Sequence, residues 1–257
     1  MSIELNNIPS NKKVYFASDF HLGVPSKEES LKRELKIVRW MEQIKSDAHA
    51  IFFMGDIFDF WFEYKRAIPK GFIRFQGKLA ELVDQNIPIY FFTGNHDMWM
   101  FDYFSTELGI PVFRKNEQFE LNGKKFFIGH GDGLGSGDNM YKILKKIFAN
   151  KICQWLFARI HPNLGMSIAN IWSKNSRISS SKKEEKQFGE EEKLYTYSKT
   201  QEKITHHDFY IYGHRHLPLD MSINETSRYI NLGEWLNYCS YAEFDGQKLS
   251  LKYFEKK

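Results

Sequence analysis

Seven side chains able to bind divalent cations stand just beyond five short apolar runs. Val14–Ala17 leads into Asp19 and His21. Ile51–Met54 leads into Asp56, Ile87–Phe92 into Asn95, Phe126–Ile128 into His130, and Phe209–Tyr212 into His214 and His216. Carboxylate and amide oxygen with imidazole nitrogen suit divalent Mn, Fe, Co or Zn. No cysteine thiolate joins the set, so a structural zinc site is a poor fit. Seven ligands exceed the need of one ion that keeps positions open for water. Two ions sharing a bridging carboxylate would use them well, and such a pair can clamp both oxygens of an in-line displacement at phosphorus. Asp19 and His21 are two residues apart, as are His214 and His216. In extended chain each pair points one way and reaches one centre. Irregular backbone would aim the two members at neighbouring centres.

Elements to hold these residues are legible. Continuous apolar runs of this length read as strands buried on both faces, in an α/β sheet covered by helices. Gly55, Gly94, Gly129 and Gly213 stand at the strand exits, where backbone must approach closely. Five strand ends delivering Asp, Asn and His imply one shared site beyond the carboxyl edge of a sheet. Ser26 and Glu29 have capping-box spacing, and Leu31, Leu35, Val38 and Met41 then recur at helical spacing. A second helix is expected over Phe72–Gln85. Tyr238–Phe244 and Lys248–Phe254 flank Asp245-Gly246-Gln247 as an antiparallel hairpin. The charge-dense stretch Ser179–Lys193 reads as a solvated surface.

Taken in order, Asp19-x-His21, Gly55-Asp56, Gly94-Asn95-His96-Asp97, Gly129-His130 and Gly213-His214-x-His216 resemble the five blocks of the calcineurin-like metallophosphoesterase family. The blocks span most of the chain. The resemblance implies a four-layer αββα sandwich. It implies a first metal held by Asp19, His21, Asp56 and His216. A second would be held by Asn95, His130 and His214, with Asp56 bridging and Mn the usual occupant. It also implies that His96 acts on the substrate, at the phosphoryl oxygens or the leaving group. That suits an imidazole, which titrates near neutrality. Asp97, next in sequence, is the expected partner that orients it. The alternative for His96 is a histidine that fills the site wall.

The chain has 257 residues, enough for one large domain with a substantial core, and we expect a single domain over 1–257 with a helical cap inserted at about 134–185. Two cysteines, Cys153 and Cys239, cannot build a disulfide framework and suit a reducing compartment. The N-terminus lacks the apolar region of a secretory signal. A cytoplasmic protein is expected. The net charge of +4 is uneven: nine of the 36 Lys and Arg lie between Asn139 and Lys183, where there is no Asp or Glu, leaving 27 against 32 acidic residues elsewhere. A local anionic partner fits that pattern better than nucleic acid, which would call for a broad basic stripe. Within the segment, Met140, Ile143, Leu144, Ile147 and Phe148 follow helical spacing, with Lys142, Lys145 and Lys146 off the stripe. Such a helix suits either a membrane surface or ordinary packing on the sheet.

This layout is similar to the UDP-2,3-diacylglucosamine pyrophosphatase branch of the family. That likeness implies a cap that holds acyl chains, peripheral work at the inner membrane in lipid A synthesis, and attack at the α-phosphorus to give UMP and 2,3-diacylglucosamine 1-phosphate. Asp138, Tyr141 and Lys174 resemble its substrate contacts. Two features depart from the branch: His96 stands where Arg is common, and the last block reads Gly213-His214-Arg215-His216-Leu217-Pro218 where the branch commonly reads Gly-His-Thr-His-Arg-Pro, so the basic residue stands between the histidines. Arg215 suits a phosphate or an exposed, unengaged position. Another phosphodiester, a nucleotide or a phosphoprotein remains an alternative substrate, and a non-catalytic scaffold of the same fold is the alternative of a different class.

Overall fold

Buried strands arise where apolar residues run without interruption, and here two stacks of them share one core. The structure is a computed structural model that describes residues 3, 5, 7–135, 137, 139–169, 171, 173 and 189–255. The first sheet contains β1 (Lys13–Ala17), β2 (Ala48–Met54), β3 (Ile89–Phe92), β4 (Val112–Phe113), β10 (Ser240–Phe244) and β11 (Leu249–Tyr253), in the order β11-β10-β1-β2-β3-β4. The second contains β5 (Glu117–Leu121), β6 (Lys124–Ile128), β7 (Phe209–Tyr212), β8 (Pro218–Ser222) and β9 (Arg228–Leu232), in the order β5-β6-β7-β9-β8.

Side-chain alternation sorts each strand between two layers. Val14, Phe16, Phe52, Met54, Phe126, Ile128 and Ile211 meet between the sheets. Phe16 stacks on Phe52 at 5.0 Å and Phe119 on Phe126 at 4.8 Å. Tyr15, Ile51, Phe53 and Phe91 face the other way, onto helices α1 (Lys27–Ile44) and α2 (Ile73–Asp84). Phe127, Tyr210 and Tyr212 pack outward against Leu194 and Tyr195 of α7 (Lys193–Glu202). Helix, sheet, sheet, helix is thus the layer order, the αββα sandwich.

Helix α1 starts where its cap predicts, with Ser26 Oγ accepting from the Glu29 amide at 3.1 Å. Its buried face differs from the apolar spacing. Arg33, Glu34, Ile37, Trp40, Met41 and Ile44 are inside, and Leu35 is exposed. The face is rotated because Arg33 and Glu34 satisfy buried backbone. Arg33 donates to the carbonyls of Phe20 and His21, both at 2.6 Å, and Glu34 accepts from the Arg74 and Phe75 amides that open α2. The hairpin is present as β10 and β11 and lies beside β1.

Between β6 and α7 come α3's successors: α4 (Asn139–Ala149), α5 (Lys151–Phe157) and α6, which includes residues 162–169; α3 itself is Tyr103–Glu107. These helices sit on the core through aromatics. Trp99 Nε1 donates to the Phe148 carbonyl at 2.8 Å, and Phe157 packs on Phe62 and Trp99, both at 4.8 Å. Of the stripe expected on α4, only Leu144 and Phe148 turn inward, while Met140, Ile143 and Ile147 are exposed. Most of Ser179–Lys193, including 179–188, lies outside the described residues. Glu192 within that stretch is fully buried as the N-cap of α7, contrary to a solvated surface.

Candidate active site

Parallel pairing brings strand ends to one edge. β1, β2 and β3 run parallel, so the residues following them emerge together; β6 and β7 run parallel in the second sheet. The edges meet. Donor atoms of Asp19, His21, Asp56 and His216 lie within 4.8 Å of one another, and so do those of Asp56, His130 and His214. Asp56 belongs to both groups. Asn95 Oδ1 is 3.3 Å from His130 Nε2, which places the amide at the second. The two members of Asp19-x-His21 reach the same group, whereas His214 and His216 divide between the two.

Extended backbone does not produce this. Asp19, His21, Asp56, His214 and His216 all have positive φ, between 45° and 68°. A non-glycine residue held in a sparsely populated region costs roughly 1–3 kcal/mol, and five together need a surrounding structure that over-determines them. The constraints are visible. Asp19 N donates to Gly55 O at 3.0 Å, His21 N to Asp56 O at 2.9 Å, and His214 N to Asp19 Oδ2 at 3.0 Å. Gly94 and Gly213 have no room for a side chain: a Cβ would strike the Asp56 carboxyl at the first and that of Asp19 at the second.

The donors have the disposition of cation ligands. His21 Nε2 and His216 Nε2 face each other at 3.1 Å, and His216 Nε2 is 3.2 Å from Asp19 Oδ1. His130 Nδ1 lies 2.9 Å from the Met54 carbonyl, which directs Nε2 to Asp56 Oδ2 at 3.3 Å. His21 Nδ1 faces Asp59 Oδ1 at 3.4 Å. The Met54 carbonyl behind the His130 ring fixes which of its nitrogens is presented, as metal-binding histidines require. Converging nitrogens and carboxylates without thiolate fit first-row divalent ions.

Electrostatics agree with a charge-dense cluster. Burial would raise Asp19 and Asp56. Hydrogen bonding from His21 and His216 at Asp19, and the charge of His130 at Asp56, outweigh burial and hold both carboxyls well below the usual range. Burial works against a His130 cation, but Asp56 raises that ring to about 10. Burial lowers His214 and His96 to about 4 each.

Asp97 does not orient His96. Its Oδ1 accepts from the Gly94 amide at 2.7 Å and its Oδ2 from Ile57 at 2.8 Å, with the Asp56 and Phe58 amides further off. It ties the second and third strand exits together, and burial with the neighbouring Asp56 pushes it up to about 7. The His96 ring instead has the Asp59 carbonyl and Ser173 Oγ, each 3.0 Å from Nδ1. Arg215 is neither exposed nor turned to a phosphate position. It is buried, with Nε 2.9 Å from Glu192 Oε1, because the backbone turn at 214–216 that directs both histidines into the site sends the residue between them towards α7. Tyr141 lines the cavity described next, but its hydroxyl donates to Asp132 Oδ2 at 2.5 Å, a carboxylate also held by Lys145 Nζ at 2.5 Å. Asp138 and Lys174 lie outside the described residues.

A cavity of ≈ 240 Å³ opens beside Asn95 and His96 and runs under the helical insert. Its far walls are apolar: Leu144, Phe148, Phe157, Ile160 and Ile168. Two polar residues of its lining, Asp59 and Ser173, are not legible as site residues in the sequence, and neither is Asp132, which holds Tyr141 and Lys145 of the same wall. Asp59 stands three residues after Asp56, which is a weak signal; Ser173 carries none.

Fold and cation-ligand cluster together define a metal-dependent phosphohydrolase. Residues 12–218 match the calcineurin-like phosphoesterase family. A UDP-2,3-diacylglucosamine hydrolase of Porphyromonas gingivalis is 40% identical over 260 residues, covering 95% of this chain and 98% of its own. One from Vibrio atlanticus is 28% identical, covering 93% and 96% respectively. The chain belongs to the calcineurin-like phosphoesterase family.

Proposed function

We propose that this phosphohydrolase cleaves the pyrophosphate of UDP-2,3-diacylglucosamine, giving UMP and 2,3-diacylglucosamine 1-phosphate for lipid A synthesis. The observation that carries the reading is the apolar cavity that begins at His96 and Asn95 and is roofed by the insert. A phosphate at the ligand cluster would place attached acyl chains against Leu144, Phe148, Phe157 and Ile168. Relatives named for that hydrolysis, similar over nearly the whole chain, favour the same substrate.

In this reading Asp19, His21, Asp56 and His216 hold one divalent ion, and Asn95, His130 and His214 with the shared Asp56 hold another. Mn is the proposed occupant, and Fe, Co and Zn accept the same donors. When bound, such a pair supplies Lewis acidity and an activated water. Water oxygen joins the α-phosphorus, the bond to the bridging oxygen breaks, and that oxygen leaves on the sugar 1-phosphate. His96 contacts the phosphoryl group. One domain with the insert as its cap performs the reaction. Tyr141 contributes ring surface rather than a free hydroxyl.

We further propose peripheral work at the cytoplasmic face of the inner membrane. Met140, Ile143, Ile147, Ile152 and Trp155 are exposed on α4 and α5, beside Lys146 and Lys151, and apolar side chains flanked by cations suit an anionic lipid surface. Among the described residues no helix is long and apolar enough to cross a membrane. The deciding assay offers purified protein and Mn with UDP-2,3-diacylglucosamine in detergent micelles, UDP-sugars without acyl chains, and an aryl phosphate. Acyl-dependent UMP release is expected. Hydrolysis of the aryl ester alone would remove the lipid substrate and keep the two-metal chemistry.

A further inference from the structure

Ser173 is the one described polar side chain of the insert that reaches the His96 ring. It is buried at 7% exposure. Its Oγ donates to Asp59 Oδ2 at 2.6 Å and lies 3.0 Å from His96 Nδ1. The Asp59 carbonyl lies 3.0 Å from that same nitrogen. A serine hydroxyl has one hydrogen, and here it goes to the carboxylate. Towards His96 it can therefore only accept, and a carbonyl can only accept as well. Both contacts require the hydrogen on Nδ1. Two acceptors sharing one N–H fix the ring plane and the tautomer, and Nε2 remains for the substrate. The same Asp59 carboxylate presents its other oxygen to His21 Nδ1 at 3.4 Å. A short path thus joins the insert, His96 and the ligand cluster.

We propose that Ser173 is a positioning residue: it makes the seating of the insert over the cavity and the working orientation of His96 a single condition. This rests on the reading of His96 as acting at the phosphate. Substrate whose acyl chains fill the cavity would press on the helix that carries Ser173, so occupancy of the apolar cavity and alignment at the phosphate reinforce each other.

The test compares wild type, Ser173→Ala, Ser173→Thr, His96→Ala and the double Ser173→Ala/His96→Ala, on the acylated nucleotide and on an aryl phosphate. Ser173→Ala should lower kcat about tenfold to a hundredfold on either substrate that wild type turns over, the scale of a displaced catalytic group, with KM little changed. Threonine, which keeps the hydroxyl, should restore most of the loss. In the His96→Ala background, Ser173→Ala should add nothing. Nitrogen NMR of the Zn-loaded protein should show His96 protonated at Nδ1 in wild type and a mixed tautomer in Ser173→Ala. A rise in KM for the acylated substrate alone would make Ser173 a substrate contact and overturn the proposal. So would a full further loss in the His96→Ala background, or wild-type turnover by Ser173→Ala. Should the wild type hydrolyse only the aryl ester, the lipid reading fails while the Ser173 comparison still decides on that ester.

Discussion

The Nε of Arg215 lies 2.9 Å from Oε1 of Glu192, and both side chains are buried. Glu192 also caps α7, its Oε2 accepting from the Tyr195 amide at 2.6 Å. The pair therefore fastens the 214–216 turn, which carries one residue of each cation-ligand group, to the outer helix layer. Removing one partner of a buried ion pair costs about 3–5 kcal/mol because the other charge is left uncompensated. Arg215→Met should lower the melting temperature and weaken retention of divalent ions. Arg215→Met with Glu192→Gln, which keeps the cap, should recover a good part of both. Thermal unfolding and elemental analysis of dialysed protein check this; equal damage in single and double variants would show that the pair does not act as a unit.

Asp56 is the carboxylate common to both groups, and its Oδ1 also accepts from the His96 amide at 2.9 Å. On the proposed function, Asp56→Ala should reduce turnover by at least about a thousandfold, since it would remove the donor common to both ions. Bound metal should fall as well. Turnover near wild type in Mn-supplemented buffer would contradict the shared role.

Gly94 abuts the Asp56 carboxyl and amide so closely that a methyl group cannot be added. Gly94→Ala should displace the Asp56 and Asn95 exits and weaken ion binding, while far-ultraviolet circular dichroism stays near wild type because both sheets are intact. Isothermal titration with Mn measures the first effect. Unchanged affinity would mean that the strand exits tolerate movement.

Ala169 lines the apolar cavity on the insert side. Ala169→Phe should fill much of the ≈ 240 Å³ space. On the proposed function, KM for the acylated nucleotide rises about tenfold or more, as expected when a pocket loses the volume of several methylenes. Aryl phosphate turnover should change little. Equal effects on both substrates would separate the cavity from acyl binding.

His207 is buried against Phe127 and Tyr210, far along β7 from the ligand cluster, and burial lowers its pKa below the ordinary histidine value of 6.5. A depressed histidine favours the fold above its unfolded pKa and loses that contribution as pH falls, because the unfolded chain then binds the extra proton. Glu202 acts further down. Burial raises it, but hydrogen bonds from His206 and the His207 amide outweigh this and hold it at about 2, so its contribution is lost between about 4.5 and 2. His207→Gln should be less stable than wild type at pH 7.5, and the difference should shrink towards pH 5. Denaturant melts at the two values check the slope. A constant difference would mean that the ring does not stay neutral in the fold.

The five strand exits were legible because each couples a continuous apolar run to a glycine and a metal-binding residue, a local pattern needing no knowledge of neighbours. Asp19, His21, Asp56, Asn95, His130, His214 and His216 meet as that pattern implies. The αββα layers followed from the resemblance those blocks carry. Strands β4, β5 and β8 leave no clear pattern in the sequence; β4 is only two residues long, and the burial of β5 and β8 is partial, so neither gives a clear run. The buried face of α1 is not legible from apolar spacing because its inner side carries Arg33 and Glu34, charged residues whose partners are backbone groups distant in sequence.

By itself the sequence determined the donor set, the order of the strand exits and the basic, apolar-rich insert, since these depend on residue type and spacing along one chain. Tertiary structure alone decided how the donors divide. Left-handed backbone at Asp19, His21, Asp56, His214 and His216 aims these donors inward, with His214 and His216 at different groups, and only packing around them holds residues where isolated chain would not stay. It also decided that Asp97 serves backbone amides, that Arg215 serves Glu192, and that His96 answers to Asp59 and to Ser173, 77 residues away. Such contacts are made by atoms near in space, and no spacing along the chain encodes a partner that distant.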